Sequence, residues 1–207
     1  MRTTFTTLTG ALLLAVSGGA FAASSVDLSV KGMITPSACT PTLANGGEVD
    51  LGKISAKDLR PAQHTYLPRQ NLQMTVNCDA ATLIAIAAKD NRENTESSMD
   101  YYNFGIGLIN GSEKLGYVTI SPSNSIADGA TVRSVGSRDG GVTWERESSF
   151  TDDGLTAFAD LTTTTPLPIQ ALTTDLQVGA VIAPAQNLTL NEEQPIDGSV
   201  TLTVRYL

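Results

Sequence analysis

Val200-Thr201-Leu202-Thr203-Val204-Arg205-Tyr206 sets an apolar side chain at every second position, and Leu72-Gln73-Met74-Thr75-Val76-Asn77-Cys78 does the same earlier in the chain. A two-residue period places one face of an extended segment in a core and the other in water. Between these stretches lie shorter apolar runs: Leu83 to Ala88, Phe104 to Ile109, Leu115 to Ile120, Leu155 to Ala159, Leu167 to Leu172 and Leu176 to Ile182. Turn residues punctuate them. Asn110-Gly111 predicts a two-residue hairpin loop, and Ser121-Pro122, Asp128-Gly129, Asp139-Gly140-Gly141 and Asp153-Gly154 predict further turns at the spacing of a sandwich or barrel. No dozen-residue window carries a 3.6-residue apolar stripe, and Ile54 to Leu59 makes a short helical turn at most. The expected fold is an all-β sandwich in one domain, with Thr162 to Thr165 and Glu192 to Pro195 as connectors and no internal repeat.

Composition narrows the function. The 207 residues are 41% apolar, 16% charged and 5% aromatic, a balance that argues against intrinsic disorder. The net charge of -8 repels a phosphate backbone, so nucleic acid is excluded as a natural partner. The single histidine, His64, lies in the polar stretch Arg60-Pro61-Ala62-Gln63-His64 and is expected to be solvated rather than a ligand, which removes most histidine-based acid/base or metal chemistry. There is no Gly-x-Ser-x-Gly elbow, and no surrounding motif singles out a carboxylate pair. Asp152-Asp153-Gly154 and Asp90-Asn91 resemble calcium loops in composition only, lacking EF-hand spacing, and a turn accounts for them better. No enzyme activity, metal or cofactor is expected.

The N-terminus has the pattern of a secretory address. Arg2 precedes the apolar run beginning Ala11-Leu12-Leu13-Leu14-Ala15-Val16, and Ala20-Phe21-Ala22 supplies a small-x-small cleavage pattern. Residues 1–22 are therefore expected to be a signal peptide, and 23–207 a single exported domain. The apolar core is too short to span a bilayer, and no later stretch approaches that length, so membrane insertion is not expected. Export puts Cys39 and Cys78 in an oxidising compartment, where a lone even pair is expected to form a structural disulfide.

Val26 to Cys39 reads Val-Asp-Leu-Ser-Val-Lys-Gly-Met-Ile-Thr-Pro-Ser-Ala-Cys. Together with Cys78 at the end of its alternating strand and Tyr206 as the penultimate residue, it resembles the subunits of pili built by the chaperone/usher pathway, and within them the fimbria-like exported bacterial proteins of unassigned role. Both ends of the mature chain and the cysteine pair carry the likeness; residues 90 to 175 match only as strand-rich sequence. Many such subunits have a Gly about fourteen residues from the C-terminus, where this chain has Gln194, with Gly198 nearer the end.

The resemblance implies an immunoglobulin-like, pilin-type β-sandwich lacking its final strand. A periplasmic pilus chaperone and then a neighbouring fimbrial subunit would fill the resulting groove by adding a strand, with an outer-membrane usher as the assembly platform. It further implies a donor strand within residues 23–35, made by Val26, Leu28, Val30, Gly32 and Ile34. The acceptor strand would be Val200, Leu202, Val204 and Tyr206, and the Leu207 carboxylate the chaperone contact. The chain stops at Leu207, six or so residues short of a closing strand of its own, which agrees with that expectation. The expected location is the periplasm and then the cell surface, as a fimbrium contributing to adhesion, or the secreted fraction. The alternative is a self-complete periplasmic or secreted binding module in which Val26 to Ile34 is an ordinary first strand. Trp144, between a glycine turn and Glu145-Arg146-Glu147, either stacks on a sugar or, as such residues more commonly do, packs on its own sheet. A two-domain adhesin needs more residues than the mature chain has.

Overall fold

The computed structural model describes Ser29, Gly32 and residues 38–207. The expected signal peptide at 1–22 and the expected donor positions Val26, Leu28, Val30 and Ile34 lie outside the described residues. Among those described, the strands are Cys39–Leu43 (β1), Thr65–Tyr66 (β2), Gln70–Thr82 (β3), Ile84–Asp90 (β4), Phe104–Gly105 (β5), Leu108–Ile109 (β6), Glu113–Lys114 (β7), Gly116–Ala127 (β8), Ala130–Thr131 (β9), Arg133–Ser137 (β10), Glu145–Arg146 (β11), Leu155–Ala159 (β12), Ile169–Ile182 (β13) and Val200–Tyr206 (β14). Among the described residues helix is confined to three single 3-10 turns, at Ala44–Gly47, Ala56–Asp58 and Ala185–Asn187.

Two antiparallel sheets form the fold. The first runs β1-β3-β13-β8-β5, with β2 beside β13 and β9 beside β8; the second runs β11-β10-β12-β4-β14; β6 and β7 make a separate hairpin. Both sheets contribute to one core. Leu72, Met74, Val76 and Cys78 of β3 and Leu172 and Leu176 of β13 face Ile84, Ile86 and Ala88 of β4 and Phe158 of β12. The chain is therefore an all-β sandwich. A smaller cluster of Ala85, Val135, Ala157 and Ala159 lies on the outer face of the second sheet under Trp144 and Leu155.

Four sequence expectations change. Leu167 to Leu172 and Leu176 to Ile182 are joined into the single 14-residue β13. A register shift between Ile169 and Ala171 resets the inside-outside alternation. Thr174, fully buried, then takes a core-facing position by pairing its hydroxyl with Ser125 Oγ at 2.7 Å and donating to the Ser123 carbonyl at 3.1 Å. A polar core residue that satisfies itself in this way looks like a turn in the sequence. Likewise β8 runs through Ser121-Pro122 instead of ending there. The Phe150 N–H donates to the Ile120 carbonyl from the side away from β13. The backbone of residue 122 points the same way two residues on, so the N–H that proline lacks would not have faced β13. Finally, Phe104 to Ile109 is cut in two at Gly107, whose φ of 89° is outside the strand range, and the Asn110-Gly111 hairpin closes with three residues between Ile109 and Glu113.

Candidate functional site

The site grows from β14, an edge strand hydrogen-bonded to β4 on one side only. The Asn91 N–H donates to the Ser199 carbonyl and the Leu207 N–H to the Leu83 carbonyl. Odd-numbered backbone groups thus point at β4, and by strand geometry Val200, Leu202, Val204 and Tyr206 present their N–H and C=O groups to the opposite edge. Among the described residues no strand pairs with that edge. Side chains of Val200, Leu202 and Val204 lean into the core, each half-buried.

Alongside the Val200 end of this edge lies a cleft of about 820 Å³. Its floor exposes part of the core itself: Leu72 of β3, Ile120 of β8 and Leu176 of β13. Leu43, Val49 and Ile54 form one wall, and Ile196, Gly198, Val200 and Leu202 the other. Gly198 fits closely, because a β-carbon there would meet Ile106 Cγ2 at 3.1 Å. The walls are joined at the mouth by Lys53 Nζ and Glu193 Oε1, 2.8 Å apart. Both side chains are 88% exposed, so this pair contributes at most about 1 kcal/mol.

Of the four expected acceptor residues, Val200 and Leu202 line the cleft. Val204 packs on the core beyond it, and Tyr206 does not line it. Tyr206 is 42% exposed and its hydroxyl accepts the Cys39 N–H at 3.0 Å, so β1 ties down this end of β14. Leu207 is exposed. Gly32, the one expected donor position among the described residues, is exposed as well. Sequence reading missed β1 and the wall from Val49 to Ile54; the alternation Val49, Leu51 amid polar and glycine residues was the available signal, broken by the turn at Gly52, where φ is 66°.

Cys39 and Cys78 are joined in a disulfide. They sit directly opposite each other in the β1/β3 register, and among the described residues β1 has no other ladder partner. The bond fastens the wall strand to the floor strand. Such a bridge is characteristic of proteins that mature in an oxidising compartment. Among the described residues no helix is long and apolar enough to cross a membrane.

The remaining candidates have structural roles. His64 is half-buried rather than solvated, because Nε2 lies 3.3 Å from Ser97 Oγ and the ring stands edge-on to Tyr117 at 6.0 Å. Trp144 packs on the outer cluster and donates through Nε1 to the Gly141 carbonyl at 3.0 Å. Asp90 is buried and accepts the N–H groups of Arg92 and Gly105, each at 2.7 Å, while Asp152 accepts the Asp90 N–H at 2.7 Å. These carboxylates brace turns. Lys89 binds Glu93 and Asp153, which raise its pKa and keep it protonated. Among the described residues no group of His, Cys, Asp and Glu is arranged to hold a metal ion.

Comparison with known proteins finds two kinds of match. Residues 28–124 match the model of a family described as a protein of unknown function, DUF1120. That span takes in both cysteines, β1, β3 and most of β8. Over nearly its whole length the chain is similar to two proteins of Escherichia coli K12. It is 29% identical to the uncharacterized protein YhcF, over 94% of this chain and 98% of that one, and 28% identical to protein GltF, over 96% and 97%.

Proposed function

We propose that this chain is an exported structural or minor fimbrial subunit, assembled by donor-strand exchange and contributing to cell adhesion. It would pass through the periplasm on a pilus chaperone, reach an outer-membrane usher and end at the cell surface among neighbouring subunits. The observation that carries this reading is the β14 edge, which no strand among the described residues pairs, beside an apolar cleft whose floor is the sandwich core. Strand addition satisfies such an edge with backbone hydrogen bonds and fills the cleft with alternate side chains. The segment of matching chemistry in this chain is Val26, Leu28, Val30, Gly32 and Ile34, which alternates with Asp27, Ser29, Lys31 and Met33. Burying its four larger apolar side chains is worth roughly 6 to 12 kcal/mol gross at about 1.5 to 3 each, against about 1 kcal/mol or more per residue for ordering the strand.

The test compares the mature chain from Ala23 with a form lacking residues 23–34, by light scattering and thermal melting. The shortened form should be a monomer of low stability. A peptide spanning Val26 to Ile34, at about one hundred times its Kd, should add about 2.7 kcal/mol, or roughly 5 to 11 °C in melting temperature. The mature chain should self-associate. A shortened form indifferent to the peptide would refute donor-strand assembly. A mature chain that stays monomeric and loses stability when 23–34 is removed would favour the self-complete module.

A further inference from the structure

A second hollow, of about 370 Å³, opens where the chain leaves β4, in the connection that leads to β5. Asp90, Glu93, Glu96, Asp100 and Asp152 line it, and among the described residues no lysine or arginine does. Acidic residues are common in a chain of net charge -8, and four of these five have partners. Asp90 accepts the N–H groups of Arg92 and Gly105. Asp152 accepts the Asp90 N–H and lies 3.7 Å from Lys89 Nζ. Glu93 Oε2 takes Lys89 Nζ at 3.1 Å, and Asp100 Oδ1 the Tyr102 N–H at 3.3 Å.

Glu96 is different. It is only 8% exposed, yet its carboxylate makes no hydrogen bond or ion pair among the described residues. The cations near it in sequence are engaged elsewhere, Lys89 with Glu93 and Asp153, and Arg92 with Asp197 at 2.6 Å. Its backbone is fixed, because Glu96 bridges Gly116 of β8 and the Ser97 N–H donates to the Gly116 carbonyl at 3.2 Å. Among the described residues Arg133 Nη2 is the one buried side-chain nitrogen or oxygen that is both sealed from solvent and without a partner. The Glu96 oxygens have no partner and so are not sealed, and the hollow that Glu96 lines is the opening through which a ligand reaches them. A carboxylate withdrawn from water with neither donor nor counter-ion is costly, and its complement is a cation.

The lining narrows the kind of cation. A metal ion needs several oxygens converging within about 2.6 Å of one point, and among the described residues no such group exists. A quaternary ammonium needs open aromatic faces, whereas Tyr101, the ring in the lining, already carries the Arg138 guanidinium 4.3 Å from its centroid. Both oxygens of Glu96 are unpartnered, and the planar fork that meets two carboxylate oxygens at once is a guanidinium. Glu93 Oε1 and Asp100 Oδ2, which make no hydrogen bond among the described residues, supply further acceptors on the same wall. Met99, 78% exposed, adds an apolar contact at the rim. The geometry points to a binding site for a guanidinium on a short alkyl stem, with Glu96 as its two-pronged partner. That headgroup comes either from an arginine side chain of a peptide or from a small guanidino amine. This site is separate from the β14 cleft and does not rest on the fimbrial reading.

The test titrates agmatine and N-acetyl-L-arginine amide into the mature protein by calorimetry at low salt. Putrescine, which differs from agmatine only in carrying an ammonium for the guanidinium, and calcium chloride are the comparisons. Saturable binding of agmatine that exceeds both comparisons about tenfold is expected, and Glu96→Gln should weaken it about ten- to a hundredfold, the loss of a charge-assisted hydrogen bond. Equal binding of the arginine amide would assign the site to a peptide arginine, and agmatine binding alone to a free amine; either supports the site. Glu96→Gln removes a buried charge that has no partner, so it should melt at or above the wild-type temperature. Asp100→Asn keeps the acceptor for the Tyr102 N–H and should weaken binding less. Putrescine or calcium binding as tightly as agmatine would overturn the guanidinium assignment. No saturable binding, affinity unchanged in Glu96→Gln, or a clear fall in that variant's melting temperature would overturn the site.

Discussion

Reducing the Cys39–Cys78 bond, with no change of sequence, should destabilise the sandwich by an amount that the structure sets. The two cysteines are separated by 39 positions, and closing a loop of that size removes unfolded-state entropy worth about 4 kcal/mol in the chain-entropy model. β1 has five residues and, among the described strands, pairs with β3 alone, so the crosslink is its principal fastening. If β1 frays, the Cys39 N–H leaves the Tyr206 hydroxyl, and a further 0.5 to 1.5 kcal/mol, roughly, goes with that hydrogen bond. A domain of this size shifts by about 2 to 4 °C per kcal/mol, so the melting temperature should fall by roughly 9 to 22 °C in a phosphine reductant relative to the oxidised protein. Far-UV circular dichroism measures the melt, and hydrogen exchange at Cys39–Leu43 should rise selectively. A reduced protein that melts within about 2 °C of the oxidised one, with β1 still protected, would refute the view that the disulfide holds the wall strand on the floor.

Other perturbations test separate parts of the structure. Tyr206→Phe should cost about 0.5 to 1.5 kcal/mol and speed amide exchange at Cys39, read by mass spectrometry, since it deletes the acceptor that joins β14 to β1. Gly116→Ala should cost about 1 to 3 kcal/mol or more in urea unfolding, because the new β-carbon would fall on the Val181 carbonyl oxygen and Ile182 Cα, both backbone. Asp139 is held well below the usual carboxylate range by the Thr143 hydroxyl and backbone N–H, then by Ser137; Asp160 is drawn down to about 2 by Thr162 in the same way. A depressed folded pKa gives stability that is present above the unfolded value near 4 and lost as pH falls through the folded one. Trp144 fluorescence should therefore stay constant above about pH 4 and redden only toward pH 2 and below, and in Asp139→Asn this acid response should be reduced.

How far the sequence reaches can be seen residue by residue. Period-two burial at Leu72, Met74, Val76 and Cys78 and at Val200, Leu202 and Val204 was legible because a strand with one wet face must alternate. Asp128-Gly129 was legible because both residues take positive φ, 50° and 83°, in a two-residue hairpin loop. β1 was not, since Thr40-Pro41-Thr42 is polar and exposed and becomes a strand only because Cys39 is bound to Cys78 and β3 offers an edge. Nor was the unity of β13, where a bulge and the buried Thr174 interrupt the apolar pattern and are compensated by partners on β8.

The candidate site divides along the same line. Local pattern determined that β14 has an apolar face, which is a property of neighbouring residues in one segment. Only the tertiary structure decided that Val200 and Leu202 border the cleft while Tyr206 is tied to β1, and that Val49, Ile54 and Ile196 complete the walls. Those choices depend on which strands lie beside β14. Alternation records which side of a strand avoids water, but not what stands across from it.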